Sequence, residues 1–449
     1  MSKRKVKPWE IMLLLLGAAV LCFGAFRVTM KMRLRSRIDA IRAAGQPVTL
    51  AELDAWYERP ALGGNAADYI TEAFARLQIP EGEEREPIPL FGTTPLPART
   101  QPLDKEMQDV IDRLLAKNAE ALELLRQSTP VEQSRYPIDF TRARGVLLPH
   151  VAEMGKAARL LALEAIACAN RGQAEPAARA IASAYALARS LLHEPHGVSL
   201  TVRHTCDAIA TDALEHVLNR IPLSDDQLKD LDRTIGTACD PNALARALAG
   251  ERCMGHEVFR HPGSLGLRFL PSPGQPSLLI VRVRQVAGVL DREWIVFLDR
   301  MEQSIRAARL PAHERLPAVR DVETRLGAPR SGANNTITDY VTPSVPALVC
   351  ADLADLARLR IARTVLAVER YRIIEGRPPE HLDDLAPVYL DAPALDPFDG
   401  QSLRYKTQKA GYVIYSIGRD HIDNGGEERL TGRAARQQTQ YDITFTTDR

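Results

Sequence analysis

The residues in this chain with the plainest capacity for chemistry are its histidines. His256-Glu-Val-Phe-Arg-His261 has the composition of a zinc-peptidase helix. That chemistry needs two histidines four apart, one turn along one helix face, with a glutamate as base. Here they are five apart, about 140° off around a helix, and Pro262 ends the segment. His193-Glu-Pro-His196, with His204 and Cys206, is a second collection of metal-ligand types. Pro195 makes it read as a turn between helices, with exposed loop histidines. There is no Gly-x-Ser-x-Gly elbow, no phosphate-binding Gly-x-x-x-x-Gly-Lys-Ser/Thr loop and no dinucleotide glycine turn. Acids such as Glu251 and Asp291 are scattered among helical charges and pair with nothing by spacing. No catalytic or cofactor-binding residue is assigned.

The elements that would have to position a site are mostly helices. The 449 residues suffice for two or three domains. Aromatics at 5% suit helices packed with Ala and Leu better than a β-sandwich. A net charge of +1 excludes an extended nucleic-acid surface, which needs a large basic excess. The six cysteines contain no Cys-x-x-Cys pair and read as buried thiols acting as small hydrophobes. Cys239 with Cys253 is the one candidate bridge.

The amino terminus is basic to Lys7, and Ile11 to Phe26 then carries no charge. A helix apolar on every face belongs in lipid or in a protein core. A cleaved signal peptide is the competing reading. Arg27, Lys31, Arg33, Arg35 and Arg37 follow at once, however, where a cleavage site needs small residues and a neutral stretch. Leu21 stands where a lipoprotein needs a small residue before Cys22. An uncleaved anchor is expected, contacting the bilayer through residues 9–29. Lys and Arg crowd both flanks, so the positive-inside count gives no orientation.

Beyond the anchor (1–30), Thr49-x-x-Glu52 is a capping box and Asn65–Leu77 has helical periodicity. Six prolines between 80 and 102 read as a linker. They close a helical stalk and linker region, 31–103. A helical domain over 104–346 follows. Gly172 joins two helices rich in small residues, a hairpin of tetratricopeptide type, with an irregular bundle as the alternative. Loops are expected at 258–276 and 327–346. Residues 347–449 form the last unit. A long helix carries Leu359, Ala362, Leu366 and Ile373 on one apolar face and ends at Gly376. Asp396-Pro-Phe-Asp-Gly400 is a turn. Leu403–Tyr405, Tyr412–Ile417 and the alternating Tyr441, Ile443 and Phe445 are strands. Arg358, Arg360, Arg363 and Arg370 read as a solvated face.

This last unit resembles the C-terminal region of the major pseudopilin of type II secretion. The matching pieces are the Tyr371–Pro378 helix end, Asp396-Pro-Phe398, Tyr415-Ser-Ile-Gly418-x-Asp420, and Gly425-Gly426 before Tyr441-Asp-Ile443. The chain is also similar to large membrane-anchored helical proteins of planctomycete-type bacteria. The resemblance implies a small α+β module, export of the body to the periplasm, and calcium (Ca2+) in the loop after the Ser-x-Gly strand. There it points to Asp420, Asp423 and Asp442, which carbonyls and water would supplement. A solvated turn without metal is the alternative. Two departures stand out. Glu427–Gln440 is an insertion, and Lys7-Pro8-Trp9 replaces the glycine-containing prepilin cleavage site. The fold expected is therefore mainly α, with a transmembrane helix, a helical-hairpin or bundle domain and a small pseudopilin-like module. The function expected is a non-enzymatic scaffold or protein-binding subunit at the inner membrane, with the bulk of the chain periplasmic. A secretion or pilus-assembly component is the alternative. The third reading is an enzyme whose site is assembled from distant residues.

Overall fold

The computed structural model describes residues 7–60, 64–140, 148–262, 278–327, 337–429, 438 and 441–449. Residues 1–6, 263–276, 328–336 and most of the 427–440 insertion lie outside the described residues; within the expected loops at 258–276 and 327–346, residues 258–260 and 337–341 are helical instead, continuing or forming packed helices. The chain is mainly helical, with an apolar N-terminal helix and a small C-terminal sheet, as its patterning predicts.

Helix α1 (Pro8–Ala43) starts on a proline whose missing N–H costs nothing there. It is one described helix long and apolar enough to cross a membrane. Its first half faces away from the body, with Leu21 75% exposed. Helix α2 (Leu50–Trp56) opens on the predicted capping box: Glu52 N–H donates to Thr49 Oγ1 and Thr49 N–H to Glu52 Oε2. Helix α3 (Ala66–Arg76) is capped by Asn65. The proline-rich stretch that follows packs onto the body. Ile88, Phe91 and Leu103 are buried in the main core, while Leu90 between them stays exposed. Helices α4 (Lys105–Lys117), begun by Asp104, and α5 (Ala119–Ser128) follow.

Helices α6 (Pro149–Asn170) and α7 (Ala174–Arg189) form the hairpin expected around Gly172, whose φ of +72° suits glycine. Their facing alanines, among them Ala158, Ala162, Ala165, Ala177, Ala180 and Ala184, are all buried. Helix α8 (Gly197–Leu218) packs on both, and α9 (Asp225–Thr237) opens on the Ser224–Gln227 capping box. Helix α10 (Ala243–Arg260) passes so close to the turn before α8 that a Cβ at Gly250 would overlap the Pro195 carbonyl oxygen. Gly250→Ala is expected to destabilise the protein by about 1–3 kcal/mol. A shift in the urea midpoint at unchanged slope checks it.

Helices α11 (Leu278–Ala287) and α12 (Val289–Ala307) meet at Gly288, and α13 (Ala312–Leu326) and α14 (Ile337–Val341) follow. The second half of α1 docks on α12. Met30, Leu34 and Ile41 are buried, and Arg27 pairs with Asp291 at 2.8 Å and Arg37 with Asp299 at 3.0 Å. Helix α15 (Val345–Glu375) is the spine. Its first half belongs to one apolar core with α10, α12 and α13, and its second half to another with α6 to α9 and the sheet.

The expectation of a single apolar face on α15 is therefore too narrow. The helix is covered on several sides from Val349 to Glu369, and Ile373, placed on that face, is 50% exposed where the helix overhangs its neighbours. The arginine face is not solvated either. Arg363 pairs with Asp232 at 2.7 Å and Arg370 with Asp225 at 2.8 Å, tying α15 to α9. Arg360 donates to the Leu395 carbonyl. Gly376 ends the helix at φ +72°, as predicted.

Strands β1 (Arg404–Thr407), β2 (Tyr412–Ser416) and β3 (Ile443–Thr447) form an antiparallel sheet with β2 in the middle. Ile414 lies opposite Tyr405 and Phe445. The sheet packs on α15, and every residue of β2 is buried.

Candidate functional site

The carboxyl loop and its three aspartates hang from β2. The Asp396 turn supports them from beneath. Phe398 plugs the core, and the Asp396 carboxylate accepts hydrogen bonds from Phe398 N, Ser416 Oγ and Ile417 N. Beyond Gly418 the chain folds back on itself. Asp420 accepts from Ile422 N and Asn424 Nδ2, both at 3.2 Å. Asp423 Oδ1 accepts from Gly425 N at 2.8 Å and Tyr415 Oη at 3.1 Å. Asp442 accepts from Gly426 N at 2.7 Å and Asn424 N at 3.3 Å. Burial, with the Asp423 charge adding to it, raises the Asp442 carboxyl above its ordinary value.

The three expected ligands thus share one loop, and their hard oxygens have the chemistry calcium prefers. Their arrangement is that of a hydrogen-bonded turn. Among the described residues no three His, Cys, Asp or Glu side chains gather as a set able to hold a metal.

The histidine motifs are taken apart by the fold. His256 is buried in the α10–α12 interface, its ring 4.8 Å from that of Trp294 and edge-on to it. His261 is exposed and lies 3.2 Å from Glu257. His193 and His196 are half-buried rather than exposed. His196 caps α8 by accepting from Val198 N, so the turn before α8 is a packed one. All six cysteines are free, Cys239 and Cys253 included.

Two buried polar constellations went unassigned in the sequence. In the first, Glu194 accepts from Ser199 Oγ and lies 3.0 Å from His150 Nε2, while Tyr136 stacks on His150 at 4.0 Å. Serine, histidine and acid are all present, but the acid sits between the other two. The histidine therefore has no path to the serine proton, which nucleophilic catalysis requires.

The second joins α8, α13 and α15. Arg315 donates to Asp352 at 3.0 Å, His204 Nε2 lies 3.5 Å from Asp352 and 3.7 Å from Asp355, and Arg203 lies 3.7 Å from Asp355. Arg203 also donates to the Ala238 carbonyl. Asp207 is fully buried and neither of its oxygens has a hydrogen-bond partner among the described residues. Burial first, and the Asp355 charge after it, push its carboxyl well above the usual range. Burial opposes ionisation of Asp352 too, but His204, Arg203 and Arg315 outweigh it and hold that carboxyl low. Carboxyls driven apart in this way are what acid–base chemistry uses. All these side chains are buried, so the network acts as an internal clamp. Its signal in the sequence is Asp352 and Asp355, three apart within an otherwise apolar helix face.

No protein-family model, no characterised protein and no solved structure matches the chain.

Proposed function

We propose that this protein is a non-enzymatic, membrane-anchored scaffold or protein-binding subunit of the cell envelope, with its amino terminus in the cytoplasm and its body in the periplasm. One observation carries the reading. Helix α1 runs unbroken from an apolar, outward-facing half into a half docked on α12, so the body is a stiff extension of the anchor. A scaffold needs that rigidity. The partner-facing side is the open groove of about 390 Å³ between the segment that follows α5 (Thr129–Glu132), α7 and α9. Glu132, Glu175, Arg179, Arg189 and Arg233 line it. A mixed-charge open groove suits a polypeptide better than an enclosed small molecule, which favours apolar walls.

The test is protease treatment of intact spheroplasts followed by crosslinked pull-down from membranes. Digestion of the body and recovery of a partner that Arg179→Glu with Arg233→Glu releases are the expected results. A protected body, or no partner above background, defeats the proposal.

A second reading, a type II secretion or pilus-assembly component, draws support from the C-terminal module. Its long helix ends at Gly376 against an antiparallel sheet, and its aspartate loop closes the far end. Calcium belongs to this reading, with Asp420, Asp423 and Asp442 exchanging loop hydrogen bonds for the cation. Calcium at a hundredfold excess over its Kd would then stabilise the protein by roughly 2.7 kcal/mol. Chelation would reverse the gain and Asp423→Ala would abolish it, read as the thermal midpoint. An unchanged midpoint removes calcium from the reading.

A further inference from the structure

Among the described residues, helix α11 leaves an apolar face without cover at the point where α1 meets the body. Val283 and Val286, three apart and so on one side of the helix, are 59% and 71% exposed. Val289, just past the Gly288 corner, is exposed as well. A helix of a soluble domain turns such a face inward.

Its position supplies the occupant. Gly288 sits against Phe26 and Arg27 of α1, close enough that a Cβ there would crowd both. The Arg27–Asp291 and Arg284–Glu293 ion pairs lock this corner, the latter at 2.7 Å. From Trp9 to Phe26 the helix rises about 26 Å, slightly less than the ~30 Å hydrocarbon core of a bilayer. The lipid boundary therefore falls at Phe26 to Val28, level with Gly288. Lys31 and Arg33 come next, exposed and without an ion pair among the described residues. They stand about 7 and 10 Å further along, where anionic headgroups lie.

We infer that the Val283–Val286 face of α11 lies on the bilayer surface, a second membrane contact beside α1 that fixes the tilt of the body. The surface is an interfacial helix face that inserts its valines among acyl chains and leaves its polar side wet. This rests on the reading that α1 spans the membrane. A protein anchored by one helix can spin and tilt; one held at two points presents a fixed side to its partners.

The test uses the full-length chain with Cys239 and Cys350 replaced by Ser, in vesicles of phosphatidylethanolamine and phosphatidylglycerol. A nitroxide label is placed singly at Cys22, or at Val286→Cys or Asp226→Cys in a Cys22→Ser background. Asp226, on the body with its side chain 94% exposed, is the aqueous standard. Collision with oxygen is compared with collision with a water-soluble nickel chelate. The ratio at 286 is expected to exceed that at 226 several-fold and to approach that at 22, with Val283→Cys repeating the result. A label at 286 as open to nickel as at 226, while that at 22 stays in lipid, overturns the inference and leaves the anchor standing. Nickel access at 22 overturns both. Shielding of 286 from oxygen and nickel alike means a protein or a second copy covers the face, and also overturns the inference.

Discussion

Asp396→Ala is expected to unfold the C-terminal module at denaturant concentrations the parent chain withstands. The side chain is fully buried. One carboxylate oxygen accepts from Phe398 N at 3.0 Å and Ser416 Oγ at 2.8 Å; the other accepts from Ile417 N at 2.9 Å and Arg404 Nη1 at 2.8 Å. Alanine leaves two backbone N–H groups and a hydroxyl unpaired in the interior, and it breaks an ion pair. Breaking a buried pair costs about 3–5 kcal/mol, chiefly through the partners left behind. Asp399 is the internal control. It holds the same guanidinium, at 2.5 Å, but from a partly exposed site. Asp399→Ala should cost no more than about 1 kcal/mol. Urea unfolding, with amide exchange in β2 as the local readout, checks both. Equal midpoints for the two variants would show that the turn does not depend on its buried carboxylate.

The second large effect is a loss of stability in acid through His256. Burial pushes its imidazole down to about 3, helped by Arg260, Arg42 and Arg252 and opposed by Glu52. Its Nδ1 has no hydrogen-bond partner among the described residues. The unfolded chain binds a proton near pH 6.5 that the folded one refuses until about pH 3. The stabilisation is therefore complete above pH 6.5 and drains away as pH falls toward 3, by up to roughly 5 kcal/mol in all. His256→Leu should flatten that slope, whereas His261→Ala, at an exposed site, should leave it unchanged. Asp207 works in the opposite sense. Its folded-state value is raised, so its contribution is complete below pH 3.8 and is lost as pH climbs toward the raised value. Asp207→Asn should stabilise the protein at pH 8 and change little near pH 4. Unfolding free energies of the four proteins at pH 4, 6 and 8 decide both points. Parallel curves for parent and His256→Leu would remove His256 as the acid-sensitive group.

Features legible in the chain are those built from neighbours three or four residues apart. The Thr49–Glu52 and Ser224–Gln227 boxes, the hairpin at Gly172, the stop at Gly376, the Asp396 turn and the β1–β2 hairpin all have partners within a few residues of themselves. Their geometry follows from local propensity and capping. The aspartate loop is intermediate. The resemblance points to its residues, but which N–H each carboxylate meets depends on Asp442 returning from the far side of an insertion.

What the amino-acid sequence determined by itself is an apolar leading helix, a helical body and a short antiparallel sheet, each with its ends marked. Tertiary structure alone decided that α1 continues for 36 residues and is gripped by Asp291 across 264 positions. It also decided that the proline-rich stretch folds onto the core, that Arg363 and Arg370 of α15 face α9, and that Asp207 is sealed away from solvent. The physical reason is common to all of these. Burial and ion pairing depend on which surfaces meet, and those surfaces come from segments far apart in the chain, where periodicity carries no information.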